Sequence, residues 1–137
     1  MIYTDRSFHR PRNKRVHALL ATIVLAVLWV SVAMGASTRI GDLAYTLDET
    51  TMTASAGYWS SKSEICEIPS HIEYEGQTYT VTAISANACK EAANLTTVIL
   101  PETITSIGDY AFYGCTGLKE ISLPDSVTVI EAYAFYG

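Results

Sequence analysis

Ile107 to Gly137 reads IGDYAFYGCTGLKEISLPDSVTVIEAYAFYG, and within it Ile107, Ala111, Phe112 and Tyr113 return 23 residues later as Ile130, Ala134, Phe135 and Tyr136. Subtracting another 23 places Ile84, Ala88, Leu95, Val98, Leu100, Pro101 and Ile104 beneath Ile107, Ala111, Leu118, Ile121, Leu123, Pro124 and Val127. Apolar residues at fixed offsets within a fixed period mark a chain wound into stacked rungs, each burying its apolar positions against the next. Two complete copies, 84–106 and 107–129, are followed by a third that is begun over 130–137.

Two shorter periods coexist inside each rung. From Ala111 to Leu118 the apolar spacing of three and four predicts a short helical or 3₁₀ segment, whereas Ile121 and Leu123 alternate as a strand does. Pro124 has no N–H to donate and marks the strand's end. A 23-residue period lies within the range of leucine-rich repeats. The expected fold class is therefore a repeat α/β solenoid of that type, with one short strand plus one short helical or 3₁₀ segment per rung and an N-terminal β-rich cap. A lone rung cannot hold itself together. Ordering costs about 1.5 kcal/mol per residue, while burying a large apolar side chain returns only about 1.5 to 3 kcal/mol. Rungs must share a core, and with the third copy breaking off, the simplest reading is the front part of a longer protein.

Upstream of the repeats the sequence changes character twice. Residues 1–36 place Arg6, Arg10, Arg12, Lys14 and Arg15 before the apolar run ALLATIVLAVLWV and then small residues, the layout of a secretory signal peptide. An uncleaved anchor helix is the alternative, because the uncharged stretch from Ala18 to Ser37 is nearly long enough to span a bilayer. Residues 37–82 lack the repeat and alternate in short β-prone runs, which predicts a β-rich capping module. In it, Glu73 to Thr82 reads as a hairpin turning at Glu75-Gly76. Ile68-Pro69 looks like the strand ends Leu100-Pro101 and Leu123-Pro124, as though a degenerate rung preceded an insertion. The repeats occupy 83–137.

Five of the nine basic residues lie in the leader. Beyond it Arg39, Lys62, Lys90 and Lys119 face thirteen carboxylates, a net charge of −9. Such a surface repels phosphate backbones, so nucleic acid is an unsuitable partner. A membrane is met only through the signal or anchor segment. Cys66, Cys89 and Cys115 are odd in number and show no CxxC pair. Cys115 falls on the inward slot of Ala92, and Cys89 on the slot of Phe112 and Phe135. They read as small buried apolar residues, with a Cys89 to Cys115 bridge as the alternative.

The strings ITSIGDYAFYGCTGLKEISLPDSVTVIEAYAFYG and IPSHIEYEGQTYTVTAI closely resemble the BspA-like leucine-rich-repeat family, the 23-residue bacterial surface type, over about Ile65 to Gly137. In the first copy Cys89-Lys90-Glu91-Ala92 departs from that family's usual aromatic and Cys, which predicts weaker packing of one rung and unchanged topology. The resemblance implies a secreted or cell-surface protein that binds extracellular protein or glycan ligands on host matrix or other cells.

Catalysis finds few residues to carry it. After the leader His71 is the only histidine, and a Cys66/His71 dyad would have no orienting residue or oxyanion donors nearby in sequence. Glu64, Glu67, Glu73 and Glu75 are clustered and read as a solvated acidic loop, with weak calcium binding as the alternative. Asn94-Leu95-Thr96 matches the N-glycosylation pattern, but Leu95 is on an inward slot. No phosphate-loop spacing occurs, and no cofactor or metal is expected.

What remains for function is the outward phase of the rungs. Thr97 and Ile99 in one rung and Glu120 and Ser122 in the next face outward from a concave sheet two strands wide. Tyr110 and Tyr133 share one outward position, Tyr113 and Tyr136 another, so stacking should line up a tyrosine ladder that either contacts ligand or simply clads the coil. These eight residues are the ligand-contact candidates of a non-catalytic binding protein. The competing expectation is a structural spacer or assembly region presenting a downstream domain, with self-association through the uncapped last rung.

Overall fold

The computed structural model describes residues 35–60 and 62–137, and Gly35–Gly137 forms one compact unit. The expected leader over 1–36 lies, but for its last two positions, outside these residues. Among the described residues there are ten strands: β1 Ser37–Ile40, β2 Leu43–Asp48, β3 Thr53–Trp59, β4 Ile65–Glu67, β5 His71–Tyr74, β6 Gln77–Ile84, β7 Thr97–Ile99, β8 Ser106–Ile107, β9 Glu120–Ser122 and β10 Val129–Ile130. They build two sheets. One runs β1-β2-β3-β6-β8-β10 with β5 paired to β6, and the other runs β4-β7-β9.

The larger sheet changes from a meander to a solenoid along its length. β1, β2 and β3 pair antiparallel, and from β3 onward every pairing along the stack is parallel. Residues alternate along β2, so Leu43, Tyr45 and Leu47 point inward. On β3 the register slips between Leu43 and Tyr45, which pair with Trp59 and Ala56. Three residues of β3 thus span two of β2, and the bulge at Gly57-Tyr58 turns Trp59 back inward beside Ala56. β5 and β6 form a hairpin about Glu75 and Gly76, whose φ values of 50° and 75° suit a left-handed two-residue turn. β6 runs across position 82, joining the upstream strands and the repeats in one sheet.

The rungs form a β-solenoid of about three turns, and the expected helical or 3₁₀ segment is corrected: among the described residues there is no helix. The backbone accounting explains why. Asn87, Cys89 and Glu91 donate their N–H groups to Asp109, Ala111 and Tyr113 of the next rung at 2.7 to 2.9 Å. One period on, Tyr110, Phe112 and Gly114 donate to Ala132, Ala134 and Tyr136. Other N–H groups close four-residue turns instead, as in Ala92 to Cys89 and Tyr113 to Tyr110. Alternate donors are thus committed to the neighbouring rung and cannot form an i to i−4 ladder. Left-handed φ at Asn87, Glu91, Tyr110, Gly114 and Tyr133 breaks any helix at each period. Apolar spacing of three and four fits this turn ladder as well as it fits a helix.

The core is the stack of inward slots: Ile84 on Ile107, Ala88 on Ala111, Cys89 on Phe112, Leu95, Val98 and Ile104. Phe112 and Phe135 stack at 5.3 Å with planes 9° apart. Thr103 and Ser126 hydroxyls donate to Val81 and Ile104 carbonyls at 2.6 and 2.7 Å, so the period is tied by side chains as well as backbone. Trp59 N–H donates to the Ala88 carbonyl at 2.9 Å, connecting the meander to the turn ladder.

Candidate functional site

The outward sheet is one strand wider than its sequence suggests. β4 pairs parallel with β7, and β7 with β9, in a register that aligns Ile65, Thr97 and Glu120 in one row and Glu67, Ile99 and Ser122 in the next. The middle row of Cys66, Val98 and Ile121 faces the core. All four strand candidates therefore share one face, extended by Ile65 and Glu67. The extra strand is hard to see because Ile65 lies 32 positions before its partner Thr97, whereas Ala83 lies 23 before Ser106. The nine additional residues fall between Glu67 and Ala83, where the β5-β6 hairpin is inserted. The signal that could have revealed it was Ile68-Pro69; the Ile68 N–H indeed donates to the Ile99 carbonyl at 3.0 Å, continuing the rung.

Two depressions mark this face. One, of about 300 Å³, is lined by Thr97, Ile99, Glu120 and Ser122 together with Glu102 and Pro124. The other, of about 260 Å³, lies where the β1-β2 turn and the end of β3 meet β4, with Ile40, Asp42, Trp59, Ile65 and Glu67 among its walls. Sequence reasoning missed Ile65, Glu67, Asp42 and Trp59, because their association depends on the hidden β4 pairing and on the β3 bulge, and it missed Glu102 because that residue lies beyond the Leu100-Pro101 strand end.

The tyrosines form a second array on the turn-ladder side. Tyr110 stacks on Tyr133 at 5.1 Å and Tyr113 on Tyr136 at 5.7 Å, with planes within 15° of parallel. Lys90, which occupies the Tyr113 position of the first rung, sets its ammonium 5.7 Å from the Tyr110 ring centre and 5.5 Å from that of Tyr113. Tyr110 and Tyr113 are half-buried, whereas Tyr133 and Tyr136 are exposed. Each stacked pair covers one ring face of each partner. Lys90 thus gives the first rung a substitute for the aromatic it lacks.

The remaining candidates are occupied structurally. Cys66, Cys89 and Cys115 are buried free thiols, so the Cys89 to Cys115 bridge is not formed; the Cys115 thiol donates to the Cys89 carbonyl at 2.9 Å. A thiol-thiol hydrogen bond with Cys66, with burial adding to it, pushes the Cys89 thiol up. His71 is exposed with Nδ1 3.0 Å from the Ser70 hydroxyl, while Cys66 is sealed in the core, so the imagined dyad is not assembled. Glu73 accepts from the Thr78 hydroxyl across the hairpin at 2.6 Å, and no group of three metal-ligating side chains occurs among the described residues. The Asn94 amide donates to the Lys62 and Ser63 carbonyls at 2.7 and 3.0 Å, which holds the loop before β4 against the first rung.

Comparison with known proteins agrees with this geometry. Residues 82–137 match the family model described as BspA type leucine rich repeat region (6 copies). A leucine-rich-repeat protein of T. pallidum superposes with a TM-score of 0.63 at 28% identity, covering 74% of this chain and 45% of that one. One from Bacteroides ovatus gives 0.67 at 26% identity, covering 72% of this chain and 26% of that one. A leucine-rich cell surface protein of Faecalibacterium prausnitzii, at 24% identity and 0.62, covers 73% and 34% and shows the shared fold alone. The chain thus spans less than half the length of these three structures. No curated protein matches it significantly. With the 23-residue rung, its strand and its turn ladder all in place, residues 82–137 form a repeat region of the BspA leucine-rich type.

Proposed function

We propose that this chain is a secreted or surface-exposed, non-catalytic binding protein that engages an extracellular protein or glycan through the outward face of β4, β7 and β9. The supporting observation is the three-strand register that gathers Thr97, Ile99, Glu120 and Ser122 with Ile65 and Glu67 on one exposed face. None of these side chains is needed to fill the core, and Ile65 and Ile99 are about half exposed, at 53% and 48%. Exposed β-branched apolar residues flanked by polar ones give contact area with little entropy to lose on binding. Similar rows repeated on successive rungs add weak contacts into avidity as an array lengthens. The β1-β3 meander would serve as the cap that covers the first rung.

The test is binding of the purified protein to immobilised matrix proteins and to cells, compared with a variant carrying Thr97→Ala, Ile99→Ala, Glu120→Ala and Ser122→Ala. Loss of binding with an unchanged circular dichroism spectrum supports the face, and undiminished binding by the quadruple variant removes it.

A further inference from the structure

The two depressions on the outward sheet share a chemistry that narrows the partner. Each has an apolar wall and two carboxylates: Ile40, Ile65 and Trp59 with Asp42 and Glu67 in one, Ile99, Leu100 and Pro124 with Glu102 and Glu120 in the other. No Lys or Arg lines either, although four basic residues lie in this part of the chain. Arg39, the basic residue closest in sequence to the first depression, is turned to the Tyr58 ring and the Ser60 hydroxyl. Among the described residues these carboxylates thus have no basic side chain lining the depressions beside them, and residues 37–137 carry a net charge of −9.

Volume limits the occupant as well. At about 260 and 300 Å³ the depressions are at or below the lower end of small-molecule pockets, nearer the size of single side chains. A Lys or Arg side chain is apolar along its stem and charged at its head, matching an apolar wall with carboxylates at the rim. The β3 bulge sharpens the match in the first depression, because it turns the Trp59 indole into the wall where an aromatic ring favours a cation.

Resting on the reading of β4-β7-β9 as the contact face, we propose that the ligand is a protein segment carrying cationic side chains, and that the two acid-rimmed depressions each receive one of them. Arginine suits them best, since its planar head can meet two carboxylate oxygens at once. The first depression lies at β4 and the second across β7 and β9, so the segment crosses the strands, with its cations roughly 10 Å apart, about two strand spacings. Polyanionic glycans are disfavoured by the same charges.

The experiment uses the whole protein and a synthetic peptide of alternating Arg and Thr, with a peptide in which citrulline replaces Arg and a heparin oligosaccharide as comparators. Affinity is read by calorimetry. The Arg peptide should bind at least about tenfold more tightly than the citrulline peptide, and heparin should not bind. The pair Asp42→Asn with Glu67→Gln, and separately Glu102→Gln with Glu120→Gln, should each weaken the Arg peptide about tenfold. The control pair Glu75→Gln with Glu131→Gln, equal in charge but outside both depressions, should change it less than about twofold. Equal binding of Arg and citrulline peptides, or an equal loss in the control pair, overturns the proposal. Heparin or a matrix protein bound through Thr97, Ile99 and Ser122 while the Arg peptide fails also overturns it, and leaves the face itself standing.

Discussion

The Cys115 thiol donates to the Cys89 carbonyl at 2.9 Å, one rung reaching back to the rung before it from a slot that the previous copy fills with Ala92. The contact satisfies a buried polar group and fills a methyl-sized space, which is why the cysteine is structural. Three unpaired buried thiols follow as an expected measurement. Native protein treated with a thiol reagent should react slowly, and protein unfolded in guanidinium should yield three equivalents. A single equivalent on unfolding would show that two of the three are bridged. Cys115→Ala should cost about 1 to 2 kcal/mol, from a lost hydrogen bond and a small cavity.

Lys90 lies over the ladder whose stacked pairs are Tyr110-Tyr133 and Tyr113-Tyr136, so it should contribute to stability without contributing to ligand contact. Lys90→Gln should lower stability by about 0.5 to 1 kcal/mol, the range of an exposed cation-ring contact. A double-mutant cycle of Tyr110→Leu and Tyr133→Leu should return a coupling of about 0.5 to 1.5 kcal/mol. Additive losses in chemical denaturation would mean that the rings are aligned but energetically independent.

The solenoid was legible because its evidence is a period: Ile84 and Ile107 cannot both be buried at 23-residue spacing unless successive turns stack. The hairpin was legible from Glu75-Gly76, where a single turn needs two left-handed residues. The turn ladder was not, because Tyr110 and Tyr133 adopt left-handed φ without any residue type that announces it. At Tyr110 the N–H is bonded to the Ala132 carbonyl 22 positions away, a tertiary contact. The four strand candidates came from local alternation alone. Their neighbours Ile65 and Glu67 needed the 32-residue register, and Trp59 needed a bulge created by pairing with β2.

Tyr45 is 2% exposed on β2, and burial, with the nearby Cys66 thiol adding to it, pushes its phenol up to about 12. The unfolded chain ionises this group near 10, so between about 10 and 12 protons leave the unfolded state first. Stability from this group is therefore complete below about pH 10 and falls as pH rises towards 12. Two units correspond to about 2.7 kcal/mol at most. Denaturation midpoints measured from pH 8 to 12 should decline above 10, and Tyr45→Phe should decline less steeply. Identical slopes for the two proteins would place the alkaline sensitivity elsewhere.

Gly117 is the position at which the winding tolerates least. A Cβ there would lie 2.3 Å from the Ala93 carbonyl oxygen and 3.0 Å from that of Leu95, backbone atoms of the preceding rung that are held in place by the stack. Gly41 is the useful contrast: its Cβ would meet nothing within 4 Å, so alanine there suffers only the strain of φ +61°. Gly41→Ala should cost about 1 kcal/mol, and Gly117→Ala distinctly more, about 3 kcal/mol or above, because two rungs must separate to admit one methyl group. For a domain near 100 residues that is a drop of more than about 12 °C in Tm, against about 4 to 8 °C for Gly41→Ala. Equal losses at the two positions would mean that the rungs slide apart readily, and the close approach at Gly117 would then not be what sets their spacing.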